Sequence, residues 1–452
     1  MKRPLRWLFS IIIALPLLLV TAAWAVLGYS PVYLYNAPSV ATGIGAKLAC
    51  SMRYVMAQNE QQAAADIKIY SPILALLDYQ YDDEQHRVRA SLAGYERTAS
   101  WQEGIGCYLD YAGFTERQRL HWPQAEAVAA DWPQGYQVNT IKPELQSKLA
   151  AMLAEDNTLG HDTRALLVVH KGQIVAEAYA PGYTERSLFL GWSMAKSITG
   201  LMIGQLEMQG KLEVTETGLF PQWQDGRSNI SIEQLLHMTD GLAYDEIYDP
   251  GATAPAMLFQ HPSAAAYMLS LPLRDEPGQH YRYSSGSTVL LNQLVQQRTA
   301  ANNAAAVEHL AEHFFRPLGM QRMVYETDAA GLLMGSSYLY ATARDWAKVG
   351  QLMLNGGEIN GTRIVTEGWI QRALQPNGSD NKRDFGYQWW LNKATDKPRW
   401  PGLPDNVFAA QGNREQRVLV IPDQDLVIVR LGWSPGKYRD NENFVEIASW
   451  FR

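Results

Sequence analysis

Ser193 and Lys196, inside Gly191-Trp192-Ser193-Met194-Ala195-Lys196-Ser197, set a hydroxyl three residues before an amine. Positions i and i+3 share one face of a helix, so on a helix the amine can stand over the hydroxyl and, if neutral, take its proton. A serine hydroxyl is a weak nucleophile until a neighbouring base activates it. The plainer alternative is a serine that caps the helix and a lysine exposed on its first turn, since Ser-x-x-Lys alone is a common coincidence.

The residues that follow favour the helix. Ile198, Leu201, Met202 and Leu206 keep an i, i+3, i+4, i+8 apolar rhythm, and Gly210 supplies a stop. Ser193 then falls at the helix N-terminus, where free N–H groups and the dipole favour the oxyanion its attack would create. Tyr281-Arg282-Tyr283-Ser284-Ser285-Gly286 precedes a second helical pattern, Thr288 to Gln297. A phenol such as that of Tyr283, held near positive groups, can act as phenolate or as a proton relay to a leaving group. Ala409-Ala410-Gln411-Gly412-Asn413 ends a strand pattern in glycine, which permits close backbone approach. The N–H after that glycine can join the Ser193 N–H in an oxyanion hole.

These pieces need a scaffold. Ala165 to Val169, then Lys171-Gly172, then Gln173 to Tyr179 reads as strand, tight turn and strand. Arg417 to Ile421, Pro422 to Asp425, and Leu426 to Leu431 repeat the device, and Asn443 to Phe451 predicts a closing helix. Between the two hairpins lies a mainly helical stretch, about 200–320. The expected fold is α+β: an antiparallel sheet flanked by helices, with an inserted all-helical domain, over 136–452. Residues 31–135 form a separate region, a cap or a spacer, with a helical pattern from Glu60 to Leu77 and no catalytic signature.

The chain of 452 residues is 47% hydrophobic and 19% charged, which excludes a disordered class. A net charge of -7 with no basic stripe argues against a nucleic-acid partner. Lys2, Arg3 and Arg6 precede an uncharged apolar run from Leu8 to Leu27, with Ala23-Trp24-Ala25 as a cleavage-like site. Residues 1–30 are thus a signal peptide or an inner-membrane anchor, and either places the body outside the cytoplasm, in the periplasm or held at the membrane. In an oxidising compartment the two cysteines, Cys50 and Cys107, read as a disulfide, with two buried free thiols as the alternative. No Cys/His cluster has metal-ligand spacing, so neither metal nor cofactor is expected.

Several ordered motifs together resemble the serine β-lactamase-related superfamily, on its class C, penicillin-binding and esterase side. Within it the likeness is greatest to hydrolases of the 6-aminohexanoate-dimer type. The resemblance spans roughly 140–452: Ser193 to Ser197, Leu235-Leu236-His237-Met238-Thr239-Asp240-Gly241-Leu242, Pro277-Gly278, Tyr283-Ser284, Pro317 to Met320, Ala341 to Asp345, and Phe385-Gly386-Tyr387-Gln388-Trp389-Trp390. It implies a β-lactamase/transpeptidase-like fold and a two-step acyl transfer to small-molecule esters or amides. Ser193 would be the nucleophile, Lys196 and Tyr283 would handle the proton, and the N–H groups of Ser193 and Asn413 would hold the oxyanion. Which of Lys196 and Tyr283 is the acylation base stays open.

Two departures narrow the substrate. The family's Tyr-x-Asn ends here in Ser285, replacing a substrate-binding amide with a hydroxyl, and its Lys-Thr-Gly appears as Ala410-Gln411-Gly412. Without a cation at Ala410, binding the carboxylate of a β-lactam or of a D-Ala-D-Ala peptide is disfavoured, leaving esterase or amidase action. Ser285, Gln411 and Gly412 would face substrate, with Tyr244, Tyr248, Trp389 and Trp390 lining the cleft. Competing readings are a catalytically idle binding or cell-wall-associated protein of the same fold, a D-Ala-D-Ala peptidase or β-lactamase, and an α/β-hydrolase. The last lacks the second glycine of G-x-S-x-G and does not explain Lys196.

Overall fold

The computed structural model describes residues 28–123, 129–381, 384–393 and 397–452. The apolar run from Leu8 to Leu27 lies outside the described residues. Among those described, no helix is long and apolar enough to cross a membrane.

The chain enters through helix α1 (Pro31–Cys50), where Ser30 accepts from the Tyr33 N–H at 3.1 Å and Pro31 starts the first turn. Its first two turns stand partly in solvent, whereas every residue from Val40 on is buried. Small residues let that second half pack closely: a Cβ added at Gly45 would lie 2.3 Å from Leu77 Cδ1. Helix α2 (Glu60–Tyr70) is shorter than the Glu60–Leu77 pattern. Pro72 biases Ser71 to extended backbone and the chain continues as a 3-10 turn, Pro72–Leu76.

A four-stranded antiparallel meander follows: β1 (Asp78–Asp82), β2 (Arg87–Leu92), β3 (Tyr95–Gln102) and β4 (Gly106–Leu109). It packs on α1 and is tied to it by the Cys50–Cys107 disulfide, with Cα atoms 6.0 Å apart. Two buried ion pairs fasten this N-terminal unit to the body. Arg164 donates bidentately to Asp66 at 2.6 and 2.8 Å, and Lys47 pairs with Glu326, which also accepts from Ser51 Oγ at 2.7 Å and the Cys107 N–H at 2.8 Å.

Helix α3 (Pro143–Thr158) leads into β5 (Thr163–His170) and β6 (Gln173–Tyr179). The short strand β7 (Phe189–Leu190) delivers the chain to α4 (Met194–Met208). Beyond the long middle segment come α5 (Ser285–Thr299), β8 (Met323–Tyr325), β9 (Leu339–Ala341) and α6 (Ala343–Leu354). The chain closes with β10 (Trp390–Leu391), β11 (Phe408–Gly412), β12 (Gln416–Ile421), β13 (Leu426–Gly432) and α7 (Asp440–Ser449).

The first and last strands share one antiparallel sheet in the order β10-β11-β12-β13-β5-β6, as the paired hairpins lead one to expect. Both faces are buried, and side chains alternate between them. Ala165, Leu167, Val169, Val418, Val420, Val427 and Val429 join the core that includes α4 and α6. Leu166, Val168, Leu419, Ile421, Leu426 and Ile428 face α3 and α7. That double burial is why these strands read as unbroken apolar runs. The fold is α+β with the sheet between helical layers.

Candidate active site

The turn from β7 into α4 aims Ser193 at a cleft between the sheet and the helical segment. Trp192 adopts φ +48°, a left-handed conformation that costs a non-glycine residue of order 1 kcal/mol or more. Trp192 is held there by packing: Tyr70 stacks on it at 5.5 Å and 14°, with Trp433 at 5.8 Å. Ser193 occupies the N-cap position, yet its side chain makes no capping hydrogen bond. The hydroxyl is therefore free for another partner, which sets aside the capping alternative.

That partner is Lys196, whose Nζ lies 3.0 Å from Ser193 Oγ. Nζ also donates to Ser285 Oγ at 2.9 Å and to the Ser336 carbonyl at 2.8 Å. Lys196 is 1% exposed, and all three of these partners are neutral. Desolvation by burial lowers its pKa to about 8, against a smaller opposing pull from the Glu246 charge.

Tyr283 completes the cluster. Lys196 Nζ stands 5.1 Å from its ring centroid, and its phenol is in side-chain contact with Ser193. Burial, reinforced by the Glu246 charge, pushes the phenol's pKa up, and the Ser193 and Arg399 contacts only partly offset that. On its other side Tyr283 stacks on Trp390 at 5.3 Å and 21°. The Arg399 guanidinium lies 3.9 Å from the Trp390 ring centroid and is anchored to Asp384 at 2.7 Å.

Strand β11 runs up to the turn that carries Ser193. A Cβ added at Gly412 would lie 2.1 Å from the Gly191 carbonyl oxygen, so this approach demands glycine. Asn413 follows directly, at the exposed end of the strand. Gln411 Nε2 is buried without a hydrogen-bond partner, a donor with no acceptor inside the protein.

Three residues expected to face substrate are buried instead. Ser285 is fully buried at the first turn of α5, bonded to Lys196 and Glu246, and offers no surface to a ligand. Trp389 is 1% exposed and meets Phe408 edge-on at 5.6 Å, whereas its neighbour Trp390, the first residue of β10, stacks on Tyr283. Tyr244 is 2% exposed, behind α5, where it would meet a Cβ added at Gly286. Both aromatics are core.

Two residues were not legible in the sequence. Glu246 accepts from the Ser285 N–H and Ser285 Oγ, both at 2.6 Å, and from the Tyr248 hydroxyl at 2.8 Å. It is a loop acid with no spacing that links it to Lys196. Tyr70 comes from the N-terminal unit; Arg414, next to Asn413, donates to its carbonyl at 2.7 Å and lies over its ring at 5.3 Å. Only the stacking on Trp192 reveals it. Among the described residues no cluster of His, Cys, Asp or Glu is arranged to hold a metal ion.

Comparison with known proteins agrees with this architecture. The family model described as Beta-lactamase matches residues 147–444. A 6-aminohexanoate-dimer hydrolase of Paenarthrobacter ureafaciens is 26% identical over 78% of this chain and 92% of its own length. A family VIII carboxylesterase superposes with a TM-score of 0.55 at 15% identity, over 70% of this chain and 99% of its own. A class C beta-lactamase does so with a TM-score of 0.52 at 15% identity, over 70% and 99%. The matched span carries the Ser193–Lys196–Tyr283 cluster and the sheet that frames it, and the chain belongs to the Beta-lactamase family, a family of serine hydrolases.

Proposed function

We propose that the protein is an exported hydrolase that cleaves ester or amide bonds of small molecules through an acyl-enzyme on Ser193. The observation that carries this reading is the buried Lys196 amine, 3.0 Å from Ser193 Oγ, with its pKa brought down to about 8. An amine in that state sheds its proton around pH 8, well below an ordinary lysine, and can then accept one from serine. The Tyr283 phenol, shifted the other way, stays protonated. This opposite displacement makes Lys196 the acylation base and Tyr283 the group that passes a proton toward the leaving atom.

In the first step Ser193 Oγ bonds to the substrate carbonyl carbon while its proton moves to Lys196. The negative oxygen that forms is met by the N–H groups of Ser193 and Asn413. The leaving alcohol or amine departs with a proton delivered through Tyr283, and water then cleaves the acyl-serine by the reverse relay. Gln411 Nε2, a donor without a partner, suits a polar acceptor on the substrate. Ala410 supplies no cation at the strand, which favours uncharged acyl groups over carboxylate-bearing β-lactams. Export rests on the basic residues ahead of the apolar run and on the Cys50–Cys107 bridge.

A fluorophosphonate probe tests the reading. Wild type should be labelled, and Ser193→Ala should not. A folded wild type that resists labelling would instead favour an idle binding protein.

A further inference from the structure

The loop that carries Glu246 exposes two large apolar side chains at its tip, next to Asp249. The Asp245 N–H donates to Thr253 Oγ1 at 2.8 Å and the Thr253 hydroxyl returns a bond to the Asp245 carbonyl at 3.1 Å, so residues 246–252 leave and rejoin the body at one point. Through Glu246 and Ser285 the loop is fixed to the catalytic cluster. Its tip nevertheless holds Ile247 51% and Tyr248 41% exposed. Gly251 of the same loop abuts α1: a Cβ there would lie 2.7 Å from Val32 Cγ1. Val32 is itself 59% exposed, and Tyr29 and Tyr35 beside it are 45% and 76% exposed.

Two segments distant in sequence, in contact at Gly251 and Val32, thus present large apolar and aromatic side chains around the loop that Glu246 ties to the Ser193–Lys196 cluster. Scattered singly, such residues mean little; grouped beside a site, they mark an interaction surface. The sequence names the partner. Leu27, two residues before Tyr29, ends an uncharged apolar run that begins at Leu8 and has basic residues at its far end. A run of about 20 apolar residues suits a bilayer, and tyrosine is enriched where chains leave one. Helix α1 begins at Pro31, too close to that run for the rim to stand far from a membrane that holds it.

We infer that the rim formed by Tyr29, Val32, Tyr35, Ile247 and Tyr248 rests in the headgroup layer of a lipid bilayer. The cleft then opens toward the membrane, and the enzyme draws esters or amides with long apolar acyl chains from the lipid phase. This rests on the hydrolase reading above. It goes further by fixing the source and class of substrate.

The full chain, reconstituted in phosphatidylcholine vesicles, tests it. Tyr35→Asp combined with Ile247→Asp should reduce turnover of a long-chain p-nitrophenyl ester carried in the vesicles by about tenfold or more. Turnover of water-soluble p-nitrophenyl acetate should not change, which also certifies the fold. No change in either substrate, or an equal loss in both, would overturn the inference. A second measurement is independent of catalysis. A fluorophore placed through Ile247→Cys should be quenched by headgroup-labelled nitroxide lipids, and a dye that escapes quenching also refutes the rim's placement. Loss of acetate turnover in wild type would strike the hydrolase reading, while the quenching result would still decide the orientation.

Discussion

Glu246 holds Ser285 by its backbone N–H and its hydroxyl, 2.6 Å each, and Ser285 in turn accepts from Lys196 at 2.9 Å. A carboxylate therefore stands one serine away from the amine that lies beside Ser193. It fixes the orientation of the bridging hydroxyl, and it favours the protonated amine. Burial works in the opposite direction and dominates.

That balance has a measurable sign. If neutral Lys196 is the base, kcat/KM for p-nitrophenyl acetate should climb with pH through about 8. Glu246→Gln removes the charge that favours the ammonium, so the amine should lose its proton more readily and the rising limb should move to lower pH. A limb unmoved by the substitution would show that Glu246 does not act on Lys196.

Lys196→Ala should lower kcat/KM by roughly 10²–10⁴, the usual loss on removing a positioned base, with labelling of Ser193 slowed in parallel. Steady-state kinetics with the same ester check this. Activity within a few-fold of wild type would reject Lys196 as the base.

Tyr70 supports the turn before Ser193 from outside the family-matched span. An aromatic stack contributes of order 1 kcal/mol beyond area burial, so Tyr70→Ala should lower kcat/KM about fivefold. Tyr70→Phe keeps the stack and should retain nearly full activity. Equal losses in both variants would assign the effect to the hydroxyl instead.

The bridge between Cys50 and Cys107 closes a long loop, with a sequence separation of 57 residues. In the chain-entropy model this stabilises the fold by roughly 4 kcal/mol. Cys50→Ser should therefore melt well below oxidised wild type and coincide with reduced wild type. Calorimetry with and without reductant reads this directly.

Lys47 and Glu326 are both almost wholly buried. Lys47→Met would strand a buried carboxylate and should cost about 3–5 kcal/mol in denaturant unfolding, with Glu326→Gln in the same chain recovering part of it.

Much of the scaffold was legible because it depends on local periodicity. The two hairpins and the closing helix appear within a few residues of where alternation and turn residues put them. The β1–β4 meander was missed. Its inward positions in β2 are only Val88 and Ala90, set among charged neighbours, and so little apolar contrast hides a strand. The Glu60 pattern runs past Pro72 to Leu77, whereas the helix itself stops at Tyr70 because proline cannot continue it.

The Ser193–Lys196 pairing is readable from spacing, since helix geometry alone puts the two residues on one face. The sequence also identified the family's ordered motifs and the cysteines that pair. That Ser285 is a buried bridge, that Trp389 is core while Trp390 stacks on Tyr283, and that Glu246 and Tyr70 reach the site follows from the folded contacts alone. Those facts come from contacts between segments far apart in the chain. Burial and charge act through space, and one chain's spacing records only what its own local geometry enforces.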